Sequence, residues 1–512
     1  MDEGTEAPQS VNHLLESGMD LAVEGEAPDA PKDLGTRAAK GFVWALGGFL
    51  CIQIGSFATY AIASDILGTE RTGLVGALLT IVFWIDIFLD TGLGASVVYE
   101  QEQGQTHRTR VAFTMTTMLS TAATLFVLLA APLIADFFDA SGDVAVFRLV
   151  ALIVIAKGFN QVPAAMLRRD LDFRKATITN LAQSVMRFVV AVWLVTSGHG
   201  VVGMIVGIIV AEFTNTTVTW ALVRFRPRFA WDRAVAWEML RYGLPVFGST
   251  LLGMLWLNGD YLVVGSHYGA KSREYGNYYT AFRLPELVLG SFYNIFSKVA
   301  FPTYAAARDA GPEKLREASL RSLRLLCLVG FSASTGMAIV AADFIGRFFP
   351  KFTGAIRPME LLCVAGGFVG VGFASGDLYN AIGKQRLGLL FNLIGTPILL
   401  IGFLIAAPHG IVAMALVHVT VMIPYSFVRI GVANHLIGTT WGQSLASLIP
   451  SASAVIGILA ATLPIRLLVE GGDLRMVALV VAGGIGAIVG VAVGARSTYA
   501  ELRDLVVKAL GR

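Results

Sequence analysis

Long runs of apolar residues recur through this chain almost without charge. Val201 to Val210, Leu393 to Ala407 and Met476 to Val493 are three of them. Each lies in a segment approaching the roughly 20 residues that carry a helix across a bilayer. Hydrocarbon offers no partner for a peptide group, so such runs must bond their backbones internally, which means helices or a closed barrel. The runs are continuous rather than alternating, so the chain reads as all-α. Composition agrees: 55% of residues are hydrophobic and 15% charged, with a mean hydropathy of +0.67, whereas soluble domains carry about a quarter charged residues. The net charge of +3 and the scatter of basic residues among loops exclude a nucleic-acid partner.

Charged and Gly/Pro breaks divide the runs into about fourteen spans, centred near Cys51, Trp84, Thr124, Ile155, Arg187, Ile208, Leu255, Ser291, Ser334, Gly370, Leu399, Thr420, Ile456 and Gly486. One set of alternate loops, with both ends of the chain, holds 25 Lys and Arg against 9 in the other. This bias places both termini in the cytoplasm, and abundant Ala, Val, Gly and Arg with few Lys suggest a prokaryote, so a bacterial or archaeal plasma membrane is expected. Arg429 is counted among these inner-loop charges. Residues 1–36 differ in kind, with nine acidic residues and a single Lys32, and read as a disordered cytoplasmic tail. A faint duplication follows. Gly41 to Gly68, then Thr69, Glu70 and Gly73, has a counterpart in Gly243 to Gly269, then Ala270, Lys271 and Gly276; the basic turn Arg168 to Lys175 corresponds to Lys384 to Arg386. An offset of six spans preserves topology, so the halves are expected to be related by an axis along the membrane normal. The expected architecture is a polytopic membrane protein of two pseudo-symmetric six-helix lobes (37–224 and 225–434), with two additional helices in 435–512.

Polar residues inside the spans carry the functional reading, because intramembrane charge is costly and marks cavities or ion paths. Asn180, Gln183, Ser184 and Arg187 form a stripe at helical spacing. Lys157 follows the same logic with Asn160 and Gln161, and so do Asp86 with Asp90 and Glu212 with Asn215, Thr216 and Thr219. Arg187 and Lys157 are the mid-depth cations. Asp86, Glu212, Asp90 and Asp377 are candidate proton or sodium sites, since a partly desolvated carboxylate gains affinity for protons. Asp260 and Arg283 lie at like depth on consecutive spans, with Glu286 one turn on, and are expected to form a structural or gating ion pair. A purely structural alternative is mutual neutralisation of Asp86, Glu212, Arg187 and Lys157 without a ligand.

The ordered motifs Asp90-Thr91-Gly92-Leu93-Gly94-Ala95, Val162-Pro163-Ala164-Ala165-Met166-Leu167-Arg168-Arg169-Asp170, Arg226-Pro227-Arg228 before Tyr242-Gly243-Leu244-Pro245, and Asn258-Gly259-Asp260-Tyr261-Leu262 resemble the polysaccharide transporter (Wzx-type flippase) branch of the multidrug/oligosaccharidyl-lipid/polysaccharide exporter superfamily. The resemblance runs from about Arg37 to Asn434. It implies a two-lobed, V-shaped bundle that flips polyprenyl-pyrophosphate-linked oligosaccharides to the outer leaflet by alternating access. In that reading Arg187 and Lys157 serve the pyrophosphate while Asn180, Gln183, Asn160 and Gln161 serve sugar hydroxyls. The partners are a lipid-linked glycan and membrane lipid, with a polysaccharide polymerase or cytoplasmic glycosyltransferases as associated proteins. Coupling to H+ or Na+ is expected, and no cofactor or metal.

An enzyme is disfavoured. Gly376 to Lys384 lacks the spacing and the Ser or Thr of a phosphate-binding loop. A membrane glycosyltransferase or polymer ligase would need catalytic groups on a substantial outer loop, and His199, His267 and His409 stand alone. Cys51, Cys327 and Cys363 lack metal-like spacing and read as packing residues. Among transporters, a multidrug extruder is opposed by the buried cations, and a lipid II flippase remains the nearer alternative.

Overall fold

The computed structural model describes residues 33–89, 105–169 and 172–509. The acidic tail up to residue 32 and Asp90 with its glycine-rich motif lie outside the described residues. What is described is helical with short connections: α1 (Asp33–Leu89), α2 (Gln105–Phe137), α3 (Val144–Arg169), α4 (Phe173–Leu194), α5 (Gly200–Val223), α6 (Arg233–Tyr268), α7 (Arg273–Pro285), α8 (Ser291–Asp309), α9 (Pro312–Phe348), α10 (Ile356–Ala381), α11 (Gln385–Ala406), α12 (Ile411–Ile437), α13 (Trp441–Leu468), α14 (Asp473–Gly494) and α15 (Arg496–Ala509). Among the described residues, nine stretches are long and apolar enough to cross a membrane, and two of these, Cys51–Leu89 and Arg174–Val223, contain two passes each. Counting α3, α6 and the α7–α8 pair as well gives fourteen passes among the described residues.

Glycine sets the joint between the lobes. The first pass of α1 ends at Gly68 (φ 75°, ψ 177°), and α6 ends at Gly269 (φ 77°, ψ 150°), a region that L side chains avoid. The two turns interlock. A Cβ on Gly73 would sit 2.5 Å from Ala270 O, and one on Gly276 would sit 2.0 Å from Thr69 O, so only hydrogen fits at either place. This reciprocity is what two related copies meeting about a pseudo-twofold axis produce, and it gives the sequence duplication a structural counterpart. Aromatic residues seal the same end: Tyr60 and Thr280 share a 2.7 Å hydrogen bond, and the Phe57 and Phe349 rings pack edge on at 6.1 Å.

The amino-terminal lobe (α1–α5) and the carboxyl-terminal lobe (α6–α12) form two bundles, with α13 and α14 packed on α9. Gly457, Gly486 and Gly490 bring α13 and α14 into backbone contact, the close approach that small residues allow between membrane helices. Arg475 of α14 then grips Asp343 of α9 with two nitrogens, at 3.0 and 2.8 Å. Between α7 and α8 the helix widens into a π turn, Glu286–Gly290, directly after Pro285, which has no N–H to continue the ladder. The turn leaves Leu287 O to accept a hydrogen bond from Gln53 Nε2 of α1 at 2.7 Å. One lobe is thereby latched to the other at mid-depth.

Candidate functional site

The amino-terminal lobe gathers its charges on the side that faces the other lobe. On α4, Gln183, Ser184 and Arg187 fall on one face by helical spacing. Arg187 Nη2 donates to Ser56 Oγ of α1 at 3.2 Å, and among the described residues no carboxylate lies within the 4.0 Å of an ion pair. Gln183 Oε1 accepts from Asn215 Nδ2 of α5 at 3.2 Å. Lys157 Nζ sits 2.5 Å from Asp86 Oδ2, yet the two side chains remain 25% and 31% exposed. Glu212 lies within electrostatic range of both Lys157 and Arg187. Of the two cations, then, Lys157 is engaged by a carboxylate and Arg187 keeps most of its donors open.

The other predicted polar residues are less concentrated. Asn160 has a buried Oδ1 without a hydrogen-bond partner, Gln161 is half-buried, and Asn180 is exposed, so the stripe on α4 turns inward only from Gln183 on.

Across the cleft the expected Asp260–Arg283 pair is not formed. Arg283 Nη1 instead donates to Glu286 Oε2, three residues away, at 2.8 Å. The carboxylate of Asp260 accepts from Tyr278 Oη at 2.7 Å and lies 3.2 Å from His418 Nε2 of α12. Equal depth on consecutive helices fixes height but not azimuth. The turn of α6 aims Asp260 at α7 and α12, away from the cleft, while the π turn brings Glu286 under Arg283. Arg283 is within electrostatic range of Arg187, so two guanidiniums address the same space from opposite lobes.

Asp260 and His418 are almost fully buried, at 1% and 5% side-chain exposure. Tyr278 can give its single proton only once, and the shorter contact is to Asp260, so the His418 tautomer that completes the network carries hydrogen on Nε2. The rings of Phe282 and Phe403 flank the imidazole at 5.6 and 4.8 Å. His418 was not singled out from the sequence; the available signal was a histidine alone inside the apolar run of α12. Arg429, counted above with the inner loops, belongs to α12 itself and lies 5.5 to 5.9 Å from the ring centres of Tyr379, Phe391 and Tyr425.

A further groove has almost no polar lining. It encloses 610 Å³ among Ile54 and Phe57 of α1, Val288 of the π turn, Val340 of α9 and Leu479 and Gly483 of α14, and Gln53 stands at its edge. Gln53 and Ser56 are neighbours on α1, so this apolar trough begins about one helical turn from the partner of Arg187.

A family model described as polysaccharide biosynthesis protein matches residues 64–351. The teichuronic acid biosynthesis protein TuaB of Bacillus subtilis is 24% identical over 357 residues, covering 69% of this chain and 73% of that protein. The lipopolysaccharide biosynthesis protein WzxC of Escherichia coli is 23% identical over 395 residues, covering 76% and 79%. Among solved structures, the lipid II flippase MurJ in an inward closed conformation superposes with a TM-score of 0.74 at 11% identity, over 90% of this chain and 99% of its own. An inward-facing multidrug transporter of the MATE family reaches 0.63 at 18% identity, over 78% and 99%. These last two likenesses concern the fold.

Proposed function

Because the chain belongs to the polysaccharide biosynthesis protein family, with a two-lobed transporter fold and no catalytic role, we propose that it flips a polyprenyl-pyrophosphate-linked glycan across the plasma membrane by alternating access. The observation that carries this reading is Arg187, a guanidinium inside the bundle with no carboxylate of the described residues within 4.0 Å, whose partner Ser56 stands one helical turn from an apolar groove. A planar guanidinium engages two phosphate oxygens at once, and an intramembrane cation without a close carboxylate is a functional-site candidate. Lys157, balanced by Asp86, supplies a second positive charge that a dianionic pyrophosphate can draw off. The groove beside Gln53 gives an isoprenoid tail an apolar wall while the head occupies the cleft. Both termini and the basic turns are assigned to the cytoplasm on the loop-charge bias. Coupling to H+ or Na+ is assigned to the carboxylates of the two lobes, with Asp86 and Glu212 nearest the cations.

The test is translocation of a fluorescent glycan-pyrophosphate lipid in vesicles containing the purified protein, with thermal stability followed in parallel. Arg187→Gln is expected to slow flipping by about 100-fold, the scale on which removing one positioned charge-stabilising donor acts, while melting shifts little. Arg187→Lys should recover only part, because it restores charge without the two-pronged geometry. Full flipping by an Arg187→Gln, Lys157→Gln double mutant would refute the assignment. Transport of lipid II in preference to every other glycan lipid would move the chain to wall-precursor export.

A further inference from the structure

The carboxyl-terminal lobe holds a second polar cavity that the pyrophosphate reading does not use. It encloses 260 Å³ and is lined by Trp256 of α6, Asp377 and Asn380 of α10, Asn392 of α11, and Tyr425 and Arg429 of α12. Its charged groups are incompletely satisfied. Asp377, 8% exposed, accepts from Ser297 Oγ at 2.6 Å through Oδ1, while its buried Oδ2 has no hydrogen-bond partner. Arg429 Nε is likewise buried without a partner, and among the described residues the two groups form no ion pair within 4.0 Å. Gly376 keeps the guanidinium close to α10, since a Cβ there would meet Arg429 Nη2 at 2.8 Å. One wall is aromatic, with the Trp256 and Tyr425 rings 4.3 Å apart and inclined by 32°.

A buried carboxylate oxygen and a buried guanidinium N–H left open side by side are costly unless something completes them. An apolar ligand cannot. A phosphate would bring two further negative charges beside Asp377 in a low-dielectric wall, where unbalanced charge is expensive. An uncharged pyranose offers what both residues lack: hydroxyls able to donate to the Asp377 carboxylate, oxygens able to accept from the Arg429 guanidinium and the Asn392 amide, and a C–H face that suits the aromatic wall. One positive and one negative residue leave the filled site neutral. The cavity shares Trp256, Leu257, Val369, Phe373 and Met422 with a second cavity of 360 Å³ that reaches Glu286 and, on the opposite lobe, Phe83, so a glycan chain lying in the cleft has a route to it. We propose that this cavity is a binding subsite for a neutral pyranose unit. This deepens the flippase reading and rests on it for the biological source of the sugar.

The experiment is saturation-transfer NMR on the full-length protein in nanodiscs, with methyl glucopyranoside, galactopyranoside, mannopyranoside and N-acetylglucosaminide as neutral probes, and methyl glucuronide and inorganic phosphate as charged ones. At least one neutral glycoside is expected to receive saturation, and its affinity should fall about tenfold in Arg429→Gln and in Asp377→Ala, the loss expected for one charge-assisted hydrogen bond. Asn392→Ala, at a half-buried position that tolerates truncation, guards against misfolding of the first two and should weaken binding by a smaller factor. The inference is overturned if no neutral glycoside binds, if binding ignores Arg429, Asp377 and Asn392, or if glucuronide or phosphate competes more strongly than the neutral sugars, which would make this an anion site. The two readings fail separately. Flipping that depends on Arg187 without a glycoside signal sinks only the subsite, whereas glycoside binding without flipping sinks only the transport reading.

Discussion

The two lobes arrange the same kinds of charge in opposite ways. In the amino-terminal lobe, Lys157 and Asp86 are in contact but remain 25% and 31% exposed. In the carboxyl-terminal lobe, Asp260 and His418 are closed off at 1% and 5%, held by Tyr278 and walled by Phe282 and Phe403. The first pair keeps exposed surface through which solvent can stabilise either partner when the other departs. In the second, His418 shows only an edge to the 360 Å³ cavity and Asp260 has only its neighbours. A wet pair can exchange partners, as the proposed binding of a substrate's phosphate requires, whereas a dry network is a fixed part of the frame.

The comparison breaks most readily at the dry site. Tyr278→Phe or His418→Leu leaves the Asp260 carboxylate buried with too few donors, a loss of about 2–3 kcal/mol. Asp260→Asn combined with His418→Leu should be milder than the sum of the single changes, with a coupling of about 1–3 kcal/mol. The measurement is a double-mutant cycle on thermal or denaturant unfolding in one detergent. Simple additivity would mean that the network is not a unit.

The wet pair should behave otherwise. Lys157→Gln and Asp86→Asn are each expected to cost about 1 kcal/mol or less, because the stranded partner is hydrated, and coupling between them should shrink as salt rises. Their effect belongs in transport, where Lys157→Gln should slow flipping more than it lowers the melting temperature. A stability loss equal to that at Asp260 would erase the distinction between the lobes.

Much of this architecture was legible in the sequence, for identifiable reasons. Bilayer thickness fixes span length, so the fourteen passes follow from the apolar runs, and the glycines at 68 and 269 mark corresponding turns because both need a positive φ. Arg187, Gln183, Lys157 and Glu212 were found because periodicity along a helix determines which residues share a face. What periodicity cannot supply is azimuth between helices. Asp260 therefore met His418, 158 residues away, rather than Arg283, and Arg429 proved to be a membrane-helix residue under aromatic rings rather than a loop charge. The π turn after Pro285 was equally hidden, since a proline signals a broken ladder without saying how the helix resumes.

The smallest effect compares the two basic turns that the duplication relates. In the amino-terminal one, Asp172 caps α4. Its carboxylate accepts from the Lys175 backbone N–H at 3.0 Å, and the Lys175 ammonium lies 2.8 Å away. The related turn enters α11 through Gly383 at φ 73° and Lys384, which offers no side-chain cap. The Lys175 ammonium, followed by its backbone N–H, holds the Asp172 carboxyl below its usual range. A depressed folded-state pKa means that the cap's contribution is fully present above the unfolded value of about 3.9 and is lost as pH falls through the folded one. Because the turn is solvated, that contribution is about 0.5 kcal/mol or less. Asp172→Asn should therefore lower the melting temperature slightly at pH 6, and the gap from the unsubstituted protein should narrow toward pH 3. Lys384→Ser, which gives α11 the cap it lacks, should raise stability by a similar amount at either pH. A gap at Asp172 that stays constant down to pH 3 would show that the carboxylate's charge contributes nothing to this turn.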